Sequence, residues 1–294
     1  MSVFVFPGQG SQFKGMGHDL YQSNVQVKNL FEEADDLLNF SLSKIMFEGN
    51  EEALKQTKVT QPAIFLHSIA ELLVYESENK KPLAVAGHSL GEFSSLVANK
   101  TISFKDGLIL VSLRAKAMQK ACDNSNGAMA AILGLEDKLV RKTCHEFDGN
   151  VIAANFNCPG QVVISGEINA VKNICEVFNS LGARRSLILP VNGAFHSSLM
   201  SEAKNELTDA INNTSFNTPI CPVYQNVDAA KTDDVQTIKK NLINQLTAPV
   251  LWTQIINNMI KDGLTEFIEI GPGKVLQGLI RKINREVSTK GALG

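Results

Sequence analysis

Apolar and polar positions along the chain follow two different periods. Short runs of consecutive apolar residues predict buried strands, and longer stretches with apolar residues every three or four positions predict amphipathic helices. The predicted strands are residues 3–6, 83–86, 129–133, 151–154, 162–164, 186–189 and 267–270. The best-defined helices are residues 61–75, 107–121 and 198–211. Strands that alternate with helices predict an α/β fold with a mostly parallel sheet.

The middle of the chain has a different order of elements. From about residue 127 the pattern predicts strand, helix, strand, strand, helix and strand, with a turn-rich connection at residues 155–160 between the second and third strands. This βαββαβ order is the ferredoxin-like arrangement. We therefore predict a small ferredoxin-like domain at residues 124–194, inserted into a large α/β-hydrolase-like domain formed by residues 1–123 and 195–294. The cleft between them is the expected ligand site.

The composition is that of an ordinary folded enzyme. Of the 294 residues, 44% are hydrophobic and 20% are charged, and the formal net charge is −2. These values argue against a disordered chain and against the basic footprint of a nucleic-acid binder. The first residues lack the pattern of a signal peptide, and no apolar run reaches the about 20 residues of a membrane helix. The five scattered cysteines predict reduced thiols in the cytoplasm.

The strongest candidate for chemistry is a serine in a tight turn. The predicted strand 83–86 leads into Gly87-His88-Ser89-Leu90-Gly91, and a helix follows. This is the G-x-S-x-G pattern in the strand–turn–helix context of a nucleophile elbow. A serine at a helix N-terminus also lies where backbone N–H groups favour the negative charge of a tetrahedral intermediate. A capping serine in a glycine-rich loop is the structural alternative.

A serine nucleophile needs a base, and His196 is the best candidate among five histidines. It lies in the loop that returns from the predicted small domain, beside the expected cleft. His88 adjoins Ser89 at a tight turn, where neighbouring side chains usually point apart. His67 and His145 lie on predicted helices, where a structural role is the default.

Other kinds of site find little support in the sequence. There is no H-E-x-x-H motif, no Cys/His cluster and no Walker loop. The segment at residues 8–12 (GQGSQ) superficially resembles a dinucleotide-binding loop, but Phe13 stands where the third glycine should be. We therefore expect neither a metal nor a cofactor.

Eight segments together resemble the malonyl-CoA:acyl carrier protein transacylase family. In chain order they are residues 6–12 (FPGQGSQ), 60–63 (TQPA), 87–92 (GHSLGE), 113–118 (LRAKAM), 155–161 (NFNCPGQ), 193–197 (GAFHS), 245–250 (QLTAPV) and 269–273 (EIGPG). The resemblance covers essentially the whole chain and keeps the order of the family's motifs. It implies transfer of a malonyl group from malonyl-CoA to acyl carrier protein, which supplies fatty acid chain elongation.

The resemblance assigns catalytic roles to particular residues. His196 takes the proton of Ser89, which attacks the malonyl thioester. The backbone N–H groups of Gln9 and Leu90 form the oxyanion hole. The backbone carbonyl of Gln245 orients the histidine, where a triad would place an aspartate. The acyl group then passes to the phosphopantetheine thiol of acyl carrier protein with ping-pong kinetics.

The resemblance also implies how a malonyl group is selected. A planar guanidinium at Arg114 grips the free carboxylate that distinguishes malonyl from acetyl. Met118 lies one helical turn further on and is expected either in the pocket or in the core. The ring of Phe195 leaves little room for the methyl group of methylmalonyl. The further predicted substrate-binding residues are Gln61, Asn155 and Asn157.

Acyl carrier proteins are acidic, so basic residues near the cleft are candidates for docking. The candidates are Arg184, Arg185, Lys274, Arg281, Lys282 and Arg285. A solvated basic face is the equally plausible interpretation.

The sequence leaves three other functions open. A serine esterase or thioesterase uses the same elbow with water as acceptor, but it has no need of a buried cation such as Arg114. A non-catalytic module that binds acyl carrier protein has no need to retain Ser89, His196 and Arg114 together. An acyltransferase of the same family with another acyl preference, or one that works in polyketide synthesis, is the closest alternative.

Overall fold

Two β-sheets organise the fold in the computed structural model, which describes residues 2–76, 80–191 and 193–293. The strands are β1 (Ser2–Phe6), β2 (Pro82–Gly87), β3 (Gly127–Leu133), β4 (Val151–Cys158), β5 (Gln161–Glu167), β6 (Arg185–Ile188), β7 (Val223–Tyr224), β8 (Lys231–Thr232), β9 (Glu266–Glu269) and β10 (Ser288–Gly291).

Helices connect and cover these strands. The α-helices are α1 (His18–Ser23), α2 (Val25–Leu38), α3 (Leu42–Glu48), α4 (Glu51–Lys55), α5 (Thr57–Glu76), α6 (Gly91–Ala98), α7 (Phe104–Asp123), α8 (Asp137–Glu146), α9 (Ile168–Ser180), α10 (Ser201–Asn213), α11 (Val235–Asn244), α12 (Trp252–Lys261) and α13 (Val275–Ile283). Short 3-10 helices span Ser198–Met200 and Gln245–Thr247. None of the helices in the described ranges combines the length and apolar character needed to cross a bilayer.

The larger sheet is mixed and mostly parallel, with the order β10-β9-β1-β2-β7-β8. All neighbouring pairs are parallel except β7 with β8. The central pair is in register, with Phe6 at the end of β1 opposite Gly87 at the end of β2. The loops that follow these two strands therefore leave the sheet side by side, at the edge where α/β proteins commonly bind ligands.

The central strand β1 is apolar on both faces because helices cover both sides of the sheet. Phe4 and Phe6 point into one core cluster, which also contains residues of α5 and α7. Val3 and Val5 point into a second cluster with residues of α12 and α13. This explains why β1 is a continuous apolar run rather than an alternating one.

The second sheet is antiparallel, with the order β4-β5-β3-β6. Its elements follow one another in the order predicted from the sequence, and α8 and α9 share a core with its strands. The predicted turn at residues 155–160 is too long. Residues 155–158 continue β4 through irregular pairing with β5, so the turn itself is short.

The end of β4 is bound to the larger part of the chain. The N–H of Phe156 donates to the carbonyl of Val250 at 2.9 Å, and the N–H of Val250 donates to the carbonyl of Ala154 at 2.8 Å. The Thr253 hydroxyl also donates to the Phe156 carbonyl at 3.0 Å. This local backbone pairing holds the end of β4, with Asn155 and Asn157, against the segment that precedes α12.

Candidate active site

Ser89 lies in the sharp turn between β2 and α6. Its backbone has a left-handed φ of 52°, which is unusual for a residue other than glycine. The turn packs closely on the end of β1, because a Cβ atom at Gly91 would lie 2.0 Å from the carbonyl oxygen of Phe6. Only glycine fits at position 91. Ser89 lies at the N-terminus of a buried helix, where the sequence predicts it, and its backbone is strained.

Ser89, His196 and Gln245 form a hydrogen-bonded chain. Nδ1 of His196 lies 2.9 Å from the backbone carbonyl oxygen of Gln245, and Nε2 lies 2.8 Å from the Ser89 Oγ. Because a carbonyl can only accept, Nδ1 carries the proton and the bare Nε2 accepts the hydroxyl proton of Ser89. The histidine is therefore in the tautomer that a general base requires. Residue 192 of the histidine loop lies outside the described residues.

The environment of His196 keeps its imidazole neutral. Burial and the nearby positive charge of Arg114 lower the pKa of His196 to about 3, and the hydrogen bond to Gln245 opposes this shift. The histidine has a left-handed φ of 61° and is 3% exposed. The imidazole is therefore in the unprotonated form that a general base needs.

Arg114, on α7, lies with its guanidinium against Ser89. Nη2 donates to the Ser89 Oγ at 2.9 Å and to the side-chain oxygen of Gln245 at 3.2 Å, and Nη1 donates to the side-chain oxygen of Gln61 at 2.5 Å. These acceptors are all uncharged, and Nε has no hydrogen-bond partner among the described residues.

Burial lowers the pKa of Arg114 to about 10, and the negative charge of Glu92 works in the opposite direction. At neutral pH the side chain is therefore a buried cation beside the serine. A guanidinium with an open hydrogen-bonding position can bind a carboxylate with two parallel hydrogen bonds.

A cavity of about 220 Å³ opens in front of Ser89. It lies between the carboxyl edge of the larger sheet and the antiparallel sheet. Its lining includes the sequence-predicted residues Gln9, Ser89, Leu90, Arg114, Met118, Asn155, Asn157, Phe195 and His196. These residues lie far apart in the sequence, and the fold brings them together around one cavity.

Gln9 and Leu90 both line the cavity together with Ser89. The loop that carries Gln9 packs tightly on the elbow, because a Cβ atom at Gly8 would lie 2.5 Å from the carbonyl oxygen of His88. Within the described residues, neither the Gln9 nor the Leu90 N–H donates to another protein atom. Two unused donors beside a serine can stabilise an oxyanion.

Two predicted site residues, Gln61 for substrate binding and Gln245 for orienting the histidine, have side chains that contact the site from behind. Gln61 does not line the cavity. Instead it accepts from Arg114 and donates to the sulfur of Met118 at 3.3 Å, so it orients the cation and a wall residue. The side chain of Gln245 likewise contacts Arg114 and donates to the carbonyl of Ser89 at 3.0 Å.

The asparagines of β4 face the elbow across the cavity. Asn157 accepts a hydrogen bond from Nε2 of His88 at 2.8 Å. His88 therefore points away from the serine hydroxyl, as expected for a neighbour in a tight turn. The side-chain oxygen of Asn155 is buried and has no partner among the described residues. It is a free acceptor on the cavity wall.

The sequence analysis missed a polar group behind the elbow. Asn226 is fully buried and accepts a hydrogen bond from the backbone N–H of Ser89 at 2.7 Å. Its only local signal is the polar pair Gln225-Asn226 directly after the buried strand β7. Such a pair also occurs in ordinary turns, so the sequence alone does not mark it.

The basic residues considered for docking do not form one surface. Arg184 and Arg185 line one groove, Arg281, Lys282 and Arg285 line another, and Lys274 borders a third depression. The guanidinium of Arg281 also donates hydrogen bonds to Thr289.

In the described part of the chain, no group of three or more His, Cys, Asp or Glu side chains is arranged to hold a metal.

The chain is similar to known proteins over nearly its whole length. It is 44% identical over 290 residues to a malonyl CoA-acyl carrier protein transacylase from Bacillus subtilis, covering 98% of this chain and 92% of that protein. The crystal structure of an acyl-carrier-protein-S-malonyltransferase from Bartonella henselae superimposes with a TM-score of 0.96, at 40% identity, and covers 99% of this chain and 95% of that chain.

A second solved structure contains a carrier protein. It is a malonyl-transacylase in complex with its type II polyketide synthase acyl-carrier protein, with a TM-score of 0.94 and 39% identity, and it covers 98% of this chain and 94% of that chain. The family model described as the acyl transferase domain matches residues 3–292. This chain, with its serine elbow, neutral histidine and buried arginine, belongs to the acyl transferase domain family.

Proposed function

We propose that this chain transfers the malonyl group of malonyl-CoA to the phosphopantetheine thiol of acyl carrier protein through an ester on Ser89. The observation that carries the proposal is the guanidinium of Arg114, which lies 2.9 Å from the Ser89 hydroxyl oxygen in the cavity in front of the serine. A serine acyltransferase for uncharged acyl groups needs no such cation. The names of its relatives support the same donor and acceptor.

The first half-reaction loads the serine. His196 accepts the Ser89 proton at Nε2 while Oγ attacks the thioester carbonyl. The N–H groups of Gln9 and Leu90 stabilise the tetrahedral oxyanion, and each such donor contributes about 100- to 1,000-fold in rate. The C–S bond then breaks, and the histidine returns its proton to the sulfur of coenzyme A. The malonyl ester remains on the serine.

The second half-reaction repeats these steps with a different nucleophile. The phosphopantetheine thiol gives its proton to His196 and attacks the ester carbonyl. The same donors hold the oxyanion, the C–O bond breaks, and the proton returns to Ser89. Because one site serves both halves, the kinetics are ping-pong.

Arg114 selects the malonyl group in this proposal. The free carboxylate binds the Nη2 group, where it replaces the Ser89 hydroxyl as acceptor, and the unpaired Nε group. Gln61 and Gln245 hold the guanidinium from behind, so the binding geometry is preorganised. Asn155 and Asn157 complete the polar wall, and Phe195 lies next to the position expected for the α-carbon.

The finer description of the architecture is part of this proposal. We describe the antiparallel part at residues 124–194 as a ferredoxin-like domain and residues 1–123 with 195–294 as an α/β-hydrolase-like domain. The strand order β4-β5-β3-β6 and the nucleophile elbow after β2 support these descriptions. The five buried thiols agree with the predicted reducing, cytoplasmic location. Docking of an acidic carrier protein on the basic grooves also remains a prediction.

Intact-mass measurement tests this function directly. Wild type, Ser89→Ala and Arg114→Ala are each mixed briefly with malonyl-CoA or acetyl-CoA, and then with holo acyl carrier protein. We expect one malonyl adduct on wild type, none on Ser89→Ala, and passage of the adduct to the carrier protein. Equal loading of acetyl, unchanged by loss of Arg114, contradicts the malonyl assignment. Loss of the adduct to water at the same rate with and without carrier protein indicates a hydrolase.

A further inference from the structure

A single buried amide spans the nucleophile turn. Oδ1 of Asn226 accepts from the backbone N–H of Ser89 at 2.7 Å, and Nδ2 donates to the backbone carbonyl of Gly87 at 2.7 Å. The two groups belong to the turn that holds Ser89 at its left-handed φ of 52°. The amide therefore satisfies two buried backbone groups that the turn itself leaves without partners.

Asn226 is itself held by a buried carboxylate. Its backbone N–H donates to Oε2 of Glu92 at 2.8 Å, and Oε1 of Glu92 accepts from Nε2 of Gln225 at 3.0 Å. Glu92 lies in the first turn of α6 and is fully buried. The contacts close a ring that runs from the elbow through α6 to the loop after β7 and back to Ser89. The proposed reaction gives Glu92 no direct role.

This ring of hydrogen bonds occupies one backbone N–H of the turn, that of Ser89, and leaves the next one, that of Leu90, without an acceptor. The Ser89 N–H is occupied by Asn226 and is unavailable to a substrate oxygen. The next N–H along the chain, that of Leu90, has no acceptor among the described residues, and Leu90 lines the cavity. A rotation of the turn that released the first N–H would also move the second one and displace the serine hydroxyl from His196.

We propose that Asn226, held in place by Glu92, is a positioning residue for acyl transfer, which fixes the turn so that the Ser89 hydroxyl meets His196 and the Leu90 N–H faces the oxyanion. The inference rests on the proposed function, because it concerns the same serine ester. It assigns Asn226 a role in the rate of the chemical step and not in substrate affinity.

The test compares Asn226→Leu and Asn226→Asp with a matched control. Asn241→Leu removes a buried amide of the same polar region, one that contacts Gln225 and Asp228 but not the elbow. Rapid quench followed by intact mass measures the rate of Ser89 acylation against malonyl-CoA concentration. Thermal unfolding measures the stability of each variant.

We expect Asn226→Leu to lower the maximal acylation rate by about 100- to 1,000-fold, the effect of misplacing one oxyanion donor. The half-saturating malonyl-CoA concentration should stay within about threefold, since Arg114 is untouched. Asn241→Leu should lose stability but acylate at the wild-type rate.

Asn226→Asp adds a measurement, the pH dependence of the acylation rate, that a purely structural role of Asn226 would leave unchanged. An aspartic acid can donate to the Gly87 carbonyl only when it is protonated, so its acylation rate should rise as the pH falls from 8 to 6. Glu92, whose pKa burial raises to about 7, titrates in both proteins over this range. The readout is therefore the ratio of the Asn226→Asp rate to the wild-type rate, which should rise as the pH falls. This variant decides the question alone if Asn226→Leu does not fold.

Two results overturn the proposal. One is acylation of folded Asn226→Leu within threefold of the wild-type rate, or no slower than Asn241→Leu. The other is a ratio of the Asn226→Asp rate to the wild-type rate that does not rise at low pH. In both cases wild type still forms its malonyl adduct, whereas failure of the proposed function removes that adduct from wild type itself.

Discussion

The backbone carbonyl oxygen of Gln245 lies 2.9 Å from Nδ1 of His196, where a catalytic triad places a carboxylate. A neutral acceptor fixes the tautomer of the imidazole but stabilises its protonated form less than a carboxylate does. With the cation of Arg114 also nearby, the histidine stays neutral until it receives a proton from serine or thiol. A side-chain substitution cannot delete this orienting group, because it belongs to the backbone.

Replacing Gln245 with leucine should therefore separate two functions of that residue. The carbonyl that orients His196 remains, and the side chain also loses its hydrogen bond to the Ser89 carbonyl. One neutral hydrogen bond is worth about 0.5–1.5 kcal/mol, so we expect the maximal acylation rate to fall by about tenfold at most. The half-saturating malonyl-CoA concentration should rise, because the side-chain contact with Arg114 is lost. His196→Ala, the reference, should lose at least about 100-fold in rate. A Gln245→Leu rate as low as that of His196→Ala contradicts orientation by the backbone.

Removal of the guanidinium should change the preference between acyl groups. Arg114→Ala deletes one partner of a buried charge pair with malonyl, a loss of about 2–5 kcal/mol. This corresponds to roughly 30- to 5,000-fold in kcat/KM for malonyl-CoA. Acetyl-CoA lacks the carboxylate, so its kcat/KM should fall far less. The ratio of the two kcat/KM values therefore measures the contact between Arg114 and the malonyl carboxylate. Equal losses for both substrates indicate a structural role for the arginine.

Arg114→Lys tests the geometry of the clamp. An ammonium keeps the charge but cannot contact Gln61, Gln245 and a carboxylate in one plane. We expect a malonyl kcat/KM between those of wild type and Arg114→Ala. A value equal to wild type shows that charge alone suffices.

The pH dependence of folding should carry the signature of a neutral buried histidine. The pKa of His196 is about 3 in the folded chain and about 6.5 when unfolded. The unfolded state therefore binds more protons between these values, and the folded state loses stability as the pH falls below about 6.5. Between these two pKa values, His196 lowers the free energy of unfolding by about 1.4 kcal/mol for each pH unit of acidification.

Urea unfolding of wild type and His196→Gln between pH 4.5 and 7.5 isolates this contribution. The variant should lack that part of the acid destabilisation, while the raised pKa values of Glu71 and Glu92, both about 7, affect both proteins alike. Identical pH slopes for the two proteins contradict the low pKa. Over the same pH range, the wild-type acylation rate should show no decrease caused by protonation of His196.

Phe195 should control access for branched acyl groups. Its ring lines the cavity beside His196, and Phe195→Ala opens space there. One methyl group is worth about 10- to 200-fold in discrimination, so the kcat/KM ratio of methylmalonyl-CoA to malonyl-CoA should rise by up to that factor. Phe178→Ala removes a buried ring from the small-sheet core and should leave the ratio unchanged. An unchanged ratio in Phe195→Ala excludes a steric role.

Gly91→Ala should prevent correct folding of the elbow. Its new Cβ atom would lie 2.0 Å from the Phe6 carbonyl oxygen, which is backbone and cannot move aside cheaply. Gly278→Ala, on an exposed helical position with nothing within 4 Å, should instead raise stability by about 0.5–1 kcal/mol. Expression yield and thermal unfolding compare the two. A normally folded Gly91→Ala contradicts the close packing of the turn.

Much of the site could be predicted because its residues lie in short, distinctive segments. The elbow is a glycine-flanked serine between a strand and a helix, and each of those signals is local. Position in the chain favours His196 as the base among five histidines, but its full role and that of Arg114 rest on the family resemblance. The strands β7, β8 and β10 are not predicted, because β7 and β8 have only two residues each and β10 is a polar segment without an apolar run.

By itself, the sequence determined the class of fold, the serine turn and the chemical type of each wall residue, because alternating patterns and motif spacing are local properties. Only the tertiary structure decided how those groups are supported. Gln61 contacts Arg114 from behind, and Asn226 reaches across 137 positions in the chain to the Ser89 N–H. Such contacts depend on how strands and helices pack in three dimensions, and hydrophobic periodicity contains no record of which distant polar groups will meet.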